Sequence, residues 1–253
     1  MRKKIAIVTG ASSGMGREFI KQITMRYSFL DEVWVIARRM DRLEELKSNN
    51  SKIKIVPMAM DLNDMSQFAE LENKLKEEKP KVFFLVNSAG FGSVGLFEDL
   101  DEKDVAGMID INCRALTMMT YKVLPFMAKG AYIYQFASSA AFVPQPKFGI
   151  YAATKSFVLS FSKSLNVELK DRHIQVVAIC PGPVKTEFFD LAYEKTNIKM
   201  YKLLVMAKPE KVVEKALKDG ANKKSVSVYG LPMKMVQILC KVFPWDFAMK
   251  FIR

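Results

Sequence analysis

Seven times between Ile5 and Tyr229 a short apolar run gives way to a break, and most breaks lead into a helical stretch. The runs are Ile5–Val8, Glu32–Ala37, Ile53–Met60, Val82–Val86, Ala131–Ala137, Ile174–Ile179 and Ser225–Tyr229. Each is too short for a helix, and the first is unbroken in its apolarity, which is the pattern of a strand buried on both faces. Strands that alternate with helices predict an α/β fold, a doubly wound, seven-stranded parallel sheet with helices on both faces. In such a sheet ligands gather outside the carboxyl ends of the strands. Gly10, Arg38, Asp61, Asn87, Ser138 and Pro181 all follow strands, so they are expected along that one edge.

The first run leads into TGASSGMGREFIKQI, with glycines at 10, 14 and 16 where a helix begins. Glycines let the backbone approach a diphosphate, and free N–H groups at the helix start stabilise it. The spacing is G-x-x-x-G-x-G rather than G-x-G-x-x-G. At the end of the second run an acid would bind a ribose 2′-hydroxyl. Here Ala37 is followed by Arg38 and Arg39, two cations that suit a 2′-phosphate. Asp41 is expected to cap the next helix. Asp61 either reaches an adenine amino group or caps a helix over 66–77. The segment NSAGFGSVG follows the fourth run and again suggests backbone close to a ligand. A long helix is expected over 101–128, with Asn112 in its interior and Pro125 near its end.

The chemistry concentrates in SSAAFVPQPKFGIYAATK, residues 138–155. Tyr151 and Lys155 are four apart on a helix expected to run to about Lys170, so they share one face. An ammonium beside a phenol lowers its pKa from about 10, which makes a proton donor and acceptor usable near neutrality. Ser138, thirteen residues before Tyr151, ends a strand and can hold a carbonyl oxygen beside the phenol.

The net charge of +12 attracts anions such as nucleotide phosphates, acidic ligands or a membrane surface. Lysines are spread along the chain without an aromatic–basic RNA motif, which argues against nucleic acid. Cys113, Cys180 and Cys240 are odd in number and far apart, and the chain has one histidine, His173, expected on the surface. No metal site is expected, and a reduced, cytoplasmic location is. Residues 1–230 read as one catalytic domain, with a lid at about 187–207. Residues 231–253 form an apolar and basic extension of it. There Lys234, Gln237 and Lys241 make a narrow polar stripe on an otherwise apolar helix, interrupted by Pro244 and resumed by Asp246, Lys250 and Arg253. That face must pack on its own subunit, on a partner subunit, or on an anionic membrane as a peripheral contact.

Together TGASSGMG, Asp61, NSAG at 87–90, Asn112, Ser138, YAATK at 151–155 and PGPVKT at 181–186 resemble the short-chain dehydrogenase/reductase family, over the chain to about Gly230. Ser88 departs from a usual second Asn, and Ala141 from a Gly that often follows the serine. The resemblance implies a Rossmann-type sheet and a Ser138, Tyr151, Lys155 and Asn112 catalytic set. Tyr151 would be general acid in reduction and base in oxidation. Lys155 would lower the phenol's pKa and bind the nicotinamide ribose. Ser138 would hold the substrate oxygen, and Asn112 a water in a proton path. The cofactor, NADP(H), would lie against Gly10, Ser12, Ser13, Gly14, Met15 and Gly16. Beyond that turn it would meet Arg38, Arg39, Asp61 and Leu62, then Asn87, Ala89 and Gly90. Pro181, Gly182, Val184 and Thr186 would complete its site with Tyr151 and Lys155, Val184 and Thr186 holding the carboxamide. Phe91, Val143, Phe148, Phe188, Phe189 and Leu191 lie in the expected substrate loops. The activity implied is interconversion of a ketone and a secondary alcohol on a bulky lipophilic substrate, as in hydroxysteroid dehydrogenases. The alternative is a 3-oxoacyl-thioester reductase, and more remotely a non-catalytic NADP-binding sensor. A homodimer or homotetramer built through the helices at 101–128 and 151–170 is implied as well.

Overall fold

A computed structural model describes residues 2–48, 53–188, 206–243 and 245. Seven strands form one parallel sheet in the order β3-β2-β1-β4-β5-β6-β7. They are β1 (Lys4–Thr9), β2 (Glu32–Ala37), β3 (Lys54–Ala59), β4 (Lys81–Asn87), β5 (Met127–Phe136), β6 (Gln175–Ile179) and β7 (Val226–Ser227). The sheet grows outward from β1 to β3, then reverses at β4. The crevice between β1 and β4 is therefore the switch point where α/β sheets hold ligands.

Alternate residues of β1 serve two cores. Ala6 and Val8 pack with α1 (Gly14–Arg26), α2 (Met40–Ser48) and α7 (Pro209–Ala221) on one face. Ile5 and Ile7 pack with α3 (Phe68–Glu78), α5 (Leu116–Val123) and α6 (Gly149–Glu168) on the other. Burial on both faces is why the strands read as unbroken apolar runs rather than as alternations.

Five local expectations change. The helix expected over 101–128 is α4 (Glu102–Ile109), a π-helical turn at Asp110–Ala115, and then α5, which ends at Val123. A 3-10 turn at Leu124–Phe126 carries Pro125, and β5 starts at once at Met127, four residues before its expected start. Asp41 lies inside the first turn of α2 instead of capping it, where a carboxylate still complements the helix dipole. Asp61 caps no helix: it accepts the Asn63 N–H at 3.0 Å, and Asp64 caps the next turn by accepting from Ser66. β7 is shorter than its apolar run. His173 is exposed, as expected. Most of the expected lid, with Phe189 and Leu191, lies outside the described residues, as do Pro244, Asp246, Lys250 and Arg253.

Candidate active site

The turn after β1 is pressed against the loop after β4. Gly10 has a φ of +64°, and a Cβ there would lie 2.7 Å from the Ala89 nitrogen. Thr9, at the end of the buried strand, accepts the N–H groups of Ser88 and Ala89 at 3.1 and 3.2 Å. α1 then starts with Ser13 as N-cap, whose side chain makes no capping hydrogen bond, and with no acid in its first turn. Its N–H groups and positive end remain available to an anion.

Arg39, just past β2, reaches back to this turn and donates to Ser12 Oγ at 3.2 Å. It also donates to Glu187 Oε2 at 3.2 Å, and Arg42 donates to Glu187 Oε1 at 2.6 Å. The two guanidiniums, Arg42 first, hold the Glu187 carboxyl below the usual carboxylate range. The end of β2 thus already binds an anion. Arg38 is exposed and takes no part in this cluster.

Three expected cofactor residues have structural tasks. Asn87 is buried, and its Nδ2 donates to Thr120 Oγ1 at 3.0 Å and Gln135 Oε1 at 2.9 Å, pinning β4 to β5 and α5. Its Oδ1 is buried without a partner among the described residues. Leu62 is in the core on the α3 side, and Met15 is half-buried against the opposite core.

Asn112 is fully buried in the π turn, which inserts an extra residue and re-aims the helix. Its amide donates to Phe91 O at 2.9 Å and Thr154 Oγ1 at 3.1 Å, and accepts the Phe91 N–H at 3.2 Å. A Cβ at residue 90 would sit 2.6 Å from Asn112 Oδ1 and 3.3 Å from Lys155 Nζ, so any larger residue there would displace both side chains. Lys155 is buried, and its Nζ donates to Phe136 O at 2.8 Å, at the end of β5. Burial far from carboxylates pulls its pKa down to about 8. The same Nζ lies 5.5 Å above the ring centre of Tyr151.

Tyr151 is buried between two aromatic rings. Phe148 stacks on it at 4.2 Å and 18°, and Phe188 leans on it at 5.7 Å and 45°. Phe91, Val94, Leu100 and Met108 extend this apolar cluster, whereas Val143 is buried outside it. Ser138 caps the 3-10 turn Ser139–Phe142, and its Oγ accepts the Ala140 N–H at 3.1 Å. Accepting there leaves the hydroxyl proton to donate elsewhere. Ser156 of α6 donates to Ala141 O at 3.1 Å, fixing that turn to the Tyr151 helix. Ser139 N–H donates to Pro181 O at 2.8 Å, which ties in the loop after β6. Val184 bridges Ala207, the Lys185 N–H donates to Ala207 O at 3.1 Å and the Ala207 N–H to Pro183 O at 2.9 Å, so the two ends of segment 185–207 are clasped together. Thr186 lies at this clasp, its methyl 3.3 Å from where a Cβ of residue 14 would stand.

Sequence reasoning did not single out Thr9, Thr120, Gln135, Thr154 or Ser156. Each is a polar residue at the buried end of a strand or on a helix face turned inward. Arg42 and Glu187 were missed as well: the signal for Arg42 is its place one helical turn from Arg39, whereas Glu187 has none, because its partners lie 145 and 148 residues away.

A sheet switch point with a glycine turn, a helix start free of acids and a buried Tyr–Lys pair is an arrangement that suits a nucleotide-binding oxidoreductase of Rossmann type. The short chain dehydrogenase family model matches residues 4–197. The chain belongs to that family. An uncharacterized short-chain type dehydrogenase/reductase of Sinorhizobium fredii is 36% identical over 202 residues, 78% of this chain and 77% of that relative. The short-chain dehydrogenase of Sphingobium yanoikuyae, solved with NADPH, superposes with a TM-score of 0.79 at 25% identity, covering 99% and 96% of the two chains. The bulky-bulky ketone specific alcohol dehydrogenase of Comamonas testosteroni gives 0.75 at 25% identity, covering 100% and 96%.

Proposed function

We propose that the protein interconverts a bulky lipophilic ketone and its secondary alcohol with NADP(H). The observation that carries this reading is the phenol of Tyr151, set over Lys155 and walled by Phe148 and Phe188. A proton donor between aromatic rings suits a carbonyl flanked by apolar groups. The structure of the Comamonas enzyme, described as specific for such ketones, is consistent with it.

The residues of this chain fit a dinucleotide: the Gly10 cradle, the uncapped start of α1 and the guanidiniums of Arg39 and Arg42 provide for a diphosphate and a further phosphate. NADP(H) is favoured over NAD(H) because Arg39 and Arg42 already hold the Glu187 carboxylate where β2 ends, and the strand itself ends in Ala37-Arg38-Arg39 with no acid of its own to receive a 2′-hydroxyl. The Sphingobium structure contains NADPH. When bound, the nicotinamide supplies or accepts the hydride. Tyr151 gives the proton to the carbonyl oxygen in reduction and takes it back in oxidation. Ser138 donates its remaining O–H to that oxygen and keeps it beside the phenol. Lys155, when charged, favours the phenolate and binds the ribose hydroxyls. Asn112 holds Thr154 and the Phe91 backbone around the ammonium and positions a water for proton exchange. Val184 and Thr186 receive the carboxamide.

Exposed apolar side chains on the middle helices, Ile109, Tyr121, Phe157 and Val167, support assembly into a dimer or tetramer through them. Three unpaired cysteines suit a reducing, cytoplasmic compartment. The test is turnover of bulky ketones with NADPH and NADH in parallel. Reduction of hydroxysteroid-type ketones by NADPH is the expected result. No turnover of any ketone, with the dinucleotide bound, would leave only the sensor reading, and a preference for 3-oxoacyl thioesters would move the substrate to that class.

A further inference from the structure

The last described helix, α8 (Leu231–Val242), has two apolar faces. Met233, Val236 and Cys240 point inward and pack on Phe142, Val158, Ala178 and Cys180. The inner face is therefore covered by the protein's own core. Among the described residues nothing covers the outer face: Leu231 is 72% exposed, Ile238 59% and Val242 67%, with Met235 and Leu239 beside them. Phe243 and Trp245 continue this exposed apolar surface beyond the helix. Between the faces runs the polar stripe of Lys234, Gln237 and Lys241, with both lysines exposed. A cleft of about 180 Å³ opens between α8 and α6, floored by Phe142, Leu159 and Cys240 and bordered by Lys163 and Lys241. From Leu231 to Phe243 there is no acid. Asp219, the carboxylate behind β7, is buried and paired with Lys215 and Lys224.

We infer that α8 lies on an anionic lipid bilayer, with Leu231, Met235, Ile238, Leu239 and Val242 in the acyl–headgroup boundary and Lys163, Lys234 and Lys241 on the headgroups. A helix that joins an apolar strip to a basic edge has the chemistry of an interfacial helix. The charges are complementary to anionic headgroups, and the +12 charge of the whole chain draws it to such a surface. A second copy fits less well. A two-fold contact through this face would bring Lys234 and Lys241 toward their own equivalents with no acid on the helix to pair them. Crossing the bilayer is a different matter, since among the described residues no helix is long and apolar enough for it.

The experiment uses the full chain with vesicles of phosphatidylcholine alone or mixed with phosphatidylglycerol. Binding is read by co-sedimentation and by tryptophan emission. Trp34 is fully buried, so a blue shift reports Trp245. The expected result is binding to the anionic vesicles only, a blue shift, and release in about 0.5 M NaCl, where screening acts within a few ångströms. Ile238→Gln with Val242→Gln alters only exposed side chains and should weaken binding by roughly tenfold or more, about 1.4 kcal/mol. Lys234→Glu with Lys241→Glu should abolish the preference for anionic vesicles, and this variant serves if the first misfolds. Lack of binding at low salt, or salt-insensitive binding equal on both vesicles, overturns the proposal. So does a dimer, seen by sedimentation velocity, that the glutamine pair converts to monomer, because the face then belongs to a second copy. None of these readings involves turnover, so failure here leaves the enzymatic reading standing, and the reverse.

Discussion

Tyr151 and Lys155 carry different burdens, and their substitutions should separate them. Tyr151→Phe keeps the ring stacked on Phe148 and removes the hydroxyl that gives the proton. It should lower kcat by about 10²–10⁴, the usual share of a general acid, with little change in NADPH affinity. Turnover close to wild type would remove Tyr151 from the mechanism. Lys155 is a buried cation whose pKa is drawn down to about 8 by burial. Its charge is present below that value and lost as pH rises through it. Support for the phenolate should therefore fade above pH 8, and kcat/KM should fall with it. Stability runs the other way. Between about 8 and the ordinary value of 10.5, the unfolded chain holds a proton on this amine that the folded chain does not. Unfolding free energy accordingly rises with pH across that window. Comparing wild type with Lys155→Met cancels every other group. The Tm of the wild type should gain on that of the variant from about pH 8 to about pH 10.5. A constant difference would mean that the amine is not penalised by burial.

At the scale of elements, the turn after β1, the start of α2 and the segment after Thr186 meet through Arg39, Arg42 and Glu187. Charge-assisted hydrogen bonds contribute about 1.5–3 kcal/mol each, and less where solvent screens them, as at these half-exposed guanidiniums. Replacing Arg39 and Arg42 by Ala should therefore weaken NADPH by roughly tenfold in direct titration and leave NADH nearly unchanged. Glu187→Gln removes the carboxylate that occupies the same guanidiniums and should tighten NADPH. Equal losses for both dinucleotides in the double alanine variant would mean that these arginines do not read a 2′-phosphate. The elements themselves were largely legible. β1, β2 and β4 are apolar runs ended by glycine or polar residues, and Tyr151 and Lys155 needed only helical spacing. The end of α5 was less so, because Met127-Ala128 continue a helical composition past Pro125. The π turn at Asn112 has no compositional mark, since an inserted residue changes register without changing residue type. Asn87 reads as a ligand residue, and the pairing of its Nδ2 with Thr120 and Gln135 is a second task that sequence spacing does not encode, because the partners lie far along the chain.

Across the whole molecule the two edges of the sheet do different work. Motifs cluster at the carboxyl edge, while the amino edge is stitched by charge. Glu32, at the start of β2, is buried and accepts from Trp34 Nε1 at 3.0 Å. Lys3 contacts it at 2.9 Å and Lys54 at 3.0 Å, so one carboxylate joins the starts of β1, β2 and β3. Lys3 also pairs with Glu78 at 2.8 Å, at the end of α3. Burial alone would raise the pKa of Glu32, but the Trp34 indole, Lys3 and Lys54 outweigh it and hold the carboxyl at about 2. A carboxyl held below its ordinary 4.5 contributes stability that is complete above that value and is lost as pH falls toward 2. Glu32→Gln keeps the shape and removes the charge. The variant should be less stable than wild type at neutral pH, and the difference should shrink steadily below pH 4.5 in urea melts. NADPH titration at neutral pH should be unchanged, since the substitution is at the opposite edge from Gly10 and Arg39. Parallel stability curves for the two proteins from pH 7 down to pH 3 would show that this carboxylate does not stitch the amino edge. A large loss of NADPH affinity in a folded variant would show that the two edges are coupled.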